Sequence, residues 1–194
     1  MNGYLVAFGV SFGAIFVAEM GDKSQLMALA FATRFRAASI LLGITLATAA
    51  VHAVSVGIGA VLQVALPTRA IDIAAGVLFL GFAAWTLRGD TLTDADEARA
   101  ARTGDRSAVV TASVTFFLAE LGDKTMLATI TLATTYNPFG VWLGSTLGMV
   151  AADALAILVG RVLGTRLPER AVRIGAAVLF VLFGVALLAE GIWG

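Results

Sequence analysis

Two matched runs concentrate the ionisable side chains of this chain: Glu19-Met20-Gly21-Asp22-Lys23-Ser24 and Glu120-Leu121-Gly122-Asp123-Lys124-Thr125. Each reads Glu–apolar–Gly–Asp–Lys–hydroxyl, and together they hold both lysines of the chain. In a helix Glu19 and Asp22 are i,i+3 neighbours on one face, as are Glu120 and Asp123. Four carboxylates, the hydroxyls of Ser24 and Thr125, and carbonyls freed near Gly21 and Gly122 make an all-oxygen ligand set. Such a set suits the hard divalent ions Ca²⁺, Mg²⁺ and Mn²⁺. Zn²⁺ or Cu⁺ would want His or Cys, and the chain has one His and no Cys. The predicted metal ligands are therefore Glu19, Asp22, Glu120, Asp123, Ser24 and Thr125.

Charge decides what else the set could do. Four carboxylates and two lysines sum to −2, which one divalent cation or two protons would neutralise. Competition between metal and protons for one site is the minimal basis of exchange. Lys23 and Lys124 are expected to hold carboxylates when the metal leaves, through the i,i+4 pairs Glu19–Lys23 and Glu120–Lys124. Gln25 follows the first motif where the second has Met126, which offers one half an extra ligand. His52 and Asp153 occupy equivalent places in the two halves, as a proton relay or auxiliary ligand, or as hydrogen-bonded packing residues. The competing reading of both motifs is a pair of structural salt bridges.

The elements that carry these groups are membrane helices. The 194 residues are 59% hydrophobic and 13% charged, with mean hydropathy +0.94. A soluble domain carries about 25% charged residues. An ionisable group at the centre of a membrane helix costs roughly 3 kcal/mol or more, so two repeated sets point to use. Zero net charge and no basic arm exclude a nucleic-acid partner. The absence of Cys excludes disulfides and thiolate chemistry. No nucleophile–base constellation or cofactor motif appears, so neither an enzyme nor a resident cofactor is expected. The first apolar segment lacks a basic leader and reads as a retained span.

Apolar stretches give six spans, at about 4–33, 39–62, 70–87, 108–135, 139–163 and 171–192. The first and fourth exceed what a bilayer needs and carry a motif with a glycine near the middle, so each is either strongly tilted or broken at the motif. Sliding the chain by 101 residues aligns Gly43 with Gly144, Gly59 with Gly160, Thr45-Leu46 with Thr146-Leu147, and Phe79 and Phe82 with Phe180 and Phe183. The halves, 1–88 and 108–194, each hold three spans and flank a linker at 89–107. Three is odd, so the second copy enters from the opposite side: an all-α membrane protein of two inverted three-helix repeats. Ten of the eleven arginines fall on one side and Arg69 on the other. The positive-inside rule then puts the linker in the cytoplasm and both termini outside. The spacings Gly9-xxx-Gly13 and Gly144-xxx-Gly148 suit close helix contact.

With Glu–Φ–Gly–Asp–Lys–Ser/Thr present twice in a six-span inverted repeat, the chain resembles the Golgi-type calcium/manganese:proton exchanger family, which includes bacterial manganese exporters. The resemblance covers essentially the whole chain. It implies two bundles of three helices and export of Mn²⁺ or Ca²⁺ against protons. The cation site it implies is built from Glu19, Asp22, Lys23 and Ser24 with Glu120, Asp123, Lys124 and Thr125. The short loops look like a bacterial member, which points to the inner membrane and to Mn²⁺, with Ca²⁺/H⁺ exchange as the runner-up. Expected partners are the metal ion, protons and lipid, with a homo-oligomer left open. A passive channel and a non-transporting scaffold are the rivals of another class.

Overall fold

The structure is a computed structural model that describes residues 2–88, 108–163 and 169–193. The linker predicted at 89–107 lies outside the described residues. Those described form the helices α1 (Asn2–Glu19), α2 (Lys23–Arg34), α3 (Ala37–Ala65), α4 (Thr68–Arg88), α5 (Ala108–Glu120), α6 (Lys124–Thr135), α7 (Pro138–Leu163) and α8 (Glu169–Trp193). Helices are what apolar segments must form in lipid, because each satisfies its own backbone hydrogen bonds.

Among the described residues, four helices are long and apolar enough to cross a membrane: Ala37–Ala65, Thr68–Arg88, Pro138–Gly160 and Ile174–Trp193. A fifth span arises if α1 and α2, bent by 74° across their break, are one crossing. The fourth apolar stretch is also divided, and its first piece, α5, has 13 residues, short of a full span. Both divisions fall at motif glycines, Gly21 at φ 76° and Gly122 at φ 79°. That left-handed region costs a residue with a Cβ about 1–2 kcal/mol, so the helix ends there and a new one starts.

The principal contacts run between the halves. Helix α1 packs along α7, α3 against α5, α6 and α7, and α4 against α8. These contacts reciprocate when residue numbers are shifted by 101. A Cβ on Gly43 would press on the Val109 carbonyl and the Ser113 nitrogen of α5, and one on Gly144 would press on the Phe8 carbonyl and the Phe12 nitrogen of α1. Gly59 abuts Ile130, and Gly160 abuts Leu29. Two residues meet their own equivalents: Thr48 donates to Met149 Sδ at 3.2 Å, and Phe79 lies 5.8 Å from Phe180 between ring centroids. Residues on a two-fold axis must do this. Gly148 also sits on Phe12, whereas a Cβ on Gly9 or Gly13 would meet nothing.

Two apolar clusters brace the centre. One gathers Ile15, Phe79, Met149 and Phe180, the other Phe31, Ile40, Ile44 and Phe116, and each mixes both halves. Leu42, Val54, Val61, Val178, Leu182 and Val185 are exposed, an outward face suited to acyl chains. At one end Arg69 Nε donates to the Gly191 carbonyl at 2.9 Å and Nη2 to that of Ile192 at 3.1 Å. It thereby satisfies terminal carbonyls of α8 and fixes the start of α4 beside them.

Candidate functional site

The site forms where the two breaks meet. Helix α1 ends on Glu19 and α5 on Glu120; Asp22 and Asp123 stand at the N-caps of α2 and α6. A cap aspartate ordinarily accepts a bond from a first-turn N–H. Neither carboxylate does so here, although both residues have extended cap geometry, φ −83° and −77°. Their carboxylates serve the opposite half instead. Lys124 donates to Asp22 Oδ1, and Lys23 Nζ lies 3.9 Å from Asp123 Oδ1.

This crosswise pairing corrects two expectations. The i,i+4 pairs Glu19–Lys23 and Glu120–Lys124, and the shared helical face of Glu19 with Asp22 and Glu120 with Asp123, all require a continuous helix. The helix ends between those residues. Each glutamate is instead met by the hydroxyl of its own motif: Ser24 donates to Glu19 Oε1, and Thr125 donates to Glu120 Oε2 at 2.7 Å. The other oxygen of each glutamate has no hydrogen-bond partner among the described residues. Such an orphan is costly when buried, and Glu19 and Glu120 are buried.

The two motifs form one electrostatic unit. Glu19 lies within reach of the charges of Glu120, Asp22, Asp153 and Lys124. Glu120 likewise feels Asp123, Asp22 and Asp153. Burial strengthens these interactions, since little water is present to screen them. Among the described residues no three His, Asp or Glu side chains stand close enough to hold a metal ion as arranged. The predicted ligands share a neighbourhood but do not converge, and Lys124 occupies Asp22.

The auxiliary residues differ from one another. Gln25 is a brace: its Oε1 accepts from the Gly21 N–H at 2.8 Å and its Nε2 donates to the Ala152 carbonyl at 2.8 Å. Asp153, fully buried on α7, has no hydrogen bond to either oxygen among the described residues. His52, buried on α3, has none to either ring nitrogen. What spacing alone missed is the crossing of the lysines. The signal was available: in a two-fold arrangement, a group near the axis meets its counterpart's surroundings.

Comparison with known proteins converges on the same motif-bearing segments. The family model described as "Divalent cation/proton antiporter GDT1" matches residues 7–94 and 108–193. A protein of Vibrio cholerae serotype O1 named "Putative manganese exporter" is 35% identical over 180 residues, covering 91% of this chain and 88% of its own length. A Synechocystis protein named "GDT1-like protein sll0615" is 32% identical, covering 93% of this chain and 96% of its own length. "Protein PAM71, chloroplastic" of Arabidopsis thaliana is 34% identical over 94% of this chain and 56% of its own length. No solved structure matches the chain significantly.

Proposed function

We propose that this chain, which belongs to the divalent cation/proton antiporter GDT1 family, exports Mn²⁺ from the cytoplasm in exchange for protons. The observation that carries the reading is the buried set Glu19, Asp22, Glu120 and Asp123, drawn equally from both halves and cross-neutralised by Lys124 and Lys23. A scaffold could be held by one ion pair, whereas this set leaves one oxygen of each glutamate without a hydrogen bond among the described residues. The unmatched charge of −2 suits one divalent ion or two protons, and not both at once. In this reading the incoming cation displaces the lysines from the aspartates, while Ser24 and Thr125 keep the glutamates in place. The reciprocal contacts across the 101-residue shift support six spans in two inverted repeats. Rocking of one half against the other would then open the set to alternate sides.

The arginine asymmetry supports the cytoplasmic placement of the central linker in an inner membrane, with both termini outside. The preference for Mn²⁺ over Ca²⁺ rests on the relative named as a manganese exporter. Side-by-side uptake of Mn²⁺ and Ca²⁺ into proteoliposomes, driven by an imposed pH gradient, tests both ion and coupling. Uphill Mn²⁺ movement is expected. Movement that only follows the Mn²⁺ gradient makes the chain a channel, and faster Ca²⁺ than Mn²⁺ exchange makes it a calcium antiporter.

A further inference from the structure

The two halves are not chemically equal around the central set, and the inequality has a direction. Asp153 on α7 and His52 on α3 are 101-residue equivalents. Asp153 is fully buried, and neither of its oxygens has a hydrogen-bond partner among the described residues. An acceptor pair left so in a protein interior is expensive and calls for an occupant that donates or coordinates. The charge of Asp22 acts on Asp153, and Asp153 in turn acts on both Glu19 and Glu120. Its helix turn is pinned to the first motif by the bond from Gln25 Nε2 to the Ala152 carbonyl. The second motif has Met126 in place of Gln25, and its thioether meets the Gly122 N–H at 3.3 Å. That half offers neither a fifth carboxylate nor a brace of this kind.

We infer that Asp153 is a further ligand of the transported divalent cation, so that the cation settles on the first-motif side, between Glu19, Asp22, Ser24 and Asp153. The inference rests on the exchange reading above. Mono- and bidentate carboxylates are ligands that hard divalent cations accept, and a third acidic side chain supplies the oxygens that two cannot. For these groups to converge, Lys124 must leave Asp22; a cation arriving beside Asp153 would repel the ammonium and replace it.

The test uses the full chain purified in detergent, with Mn²⁺ as the probe and its binding read by titration calorimetry and by metal-dependent thermal stabilisation. Asp153→Asn is expected to weaken Mn²⁺ binding by at least roughly 10–100-fold, since loss of a partner that only orients a metal ligand already costs that much. Asp153→Glu keeps the charge on a longer arm and is expected to recover most of that loss. Binding by Asp153→Asn at wild-type affinity, with Glu19→Gln binding abolished, removes Asp153 from the site and leaves the exchange reading standing. Wild-type affinity in both variants overturns the site itself. Should Asp153→Asn fail to fold, Asp153→Ser, smaller and neutral, decides: a weakened Mn²⁺ affinity at unchanged metal-free melting temperature supports the assignment, and wild-type affinity overturns it.

Discussion

The first and second motifs follow the same backbone path, yet their lysines occupy different surroundings. Lys124 is 3% exposed and bonded to Asp22. The side chain of Lys23 is 27% exposed and reaches Asp123 only at 3.9 Å. The frame is duplicated down to the glycine dihedrals and the glutamate–hydroxyl pairs, while the polar complement around it has diverged. In the exchange reading proposed above, a duplicated frame lets the two halves exchange roles. The divergence at Gln25/Met126 and His52/Asp153 gives the set a preferred side.

The largest effects should come from the shared part of the frame. Glu19→Gln and Glu120→Gln are each expected to reduce Mn²⁺-driven proton flux in proteoliposomes to background, with the protein still folded. Exchange surviving in only one of the two variants would show that the halves are unequal even in their glutamates. The lysines come next and should separate. Lys124→Ala takes the buried carboxylate of Asp22 out of its ion pair, a loss of about 3–5 kcal/mol. Lys23→Ala removes a long, partly exposed pair, where about 1 kcal/mol or less is at stake. Thermal unfolding in detergent reads both, and equal losses would erase the contrast.

Glycine substitutions probe the frame at intermediate size. An alanine Cβ at Gly43 would lie 2.6 Å from Ala112 Cβ and 2.8 Å from the Val109 carbonyl. Its counterpart at Gly144 meets the backbone of Phe8 and Phe12. Overpacking of this kind costs about 1–3 kcal/mol, and the two losses should match if the halves are two-fold related. Gly122→Ala meets no neighbour and carries only the cost of a positive φ, about 1–2 kcal/mol. Gly9→Ala, with open space around it, is the silent comparison.

Much of this was legible in the sequence because it depends on residue type and repetition. The helical class followed from composition, and the overlong apolar stretches left tilt or a break at the motif glycine as the two options, of which the structure takes the break. The close packing of Gly144 and Gly148 followed from their small-residue spacing. Three things were not legible. A periodic pattern assumes an unbroken helix, so placing Glu19 beside Lys23 and Asp22 failed once Gly21 turned the chain. Small-residue spacing does not say whether a neighbour is present: among the described residues Gly9-xxx-Gly13 has none, while Gly144-xxx-Gly148 is packed on α1. Gln25 offered an oxygen by type, but its amide bridges two backbone groups, which depends on where α7 lies.

The smallest effect is expected where the motifs differ by one neutral side chain. Gln25→Met makes the first motif locally like the second, where Met126 already receives the Gly122 N–H through sulfur. The Gly21 N–H keeps an acceptor of that weaker kind, and what is lost is the Gln25 bond to Ala152 with a weak contact to Met20 Sδ. A net cost near 0.5–1.5 kcal/mol follows for one such bond, and it should fall at the lower end, because a helical carbonyl retains its backbone partner. The brace also holds the α7 turn that carries Asp153 against the first motif. The KM for Mn²⁺ should therefore rise in the same direction as in Asp153→Asn, by a smaller factor, with the maximal rate nearly kept. A fall in melting temperature with an unmoved KM would confine Gln25 to packing. A raised KM in the reciprocal Met126→Gln variant would mean that the second half also reads the cation.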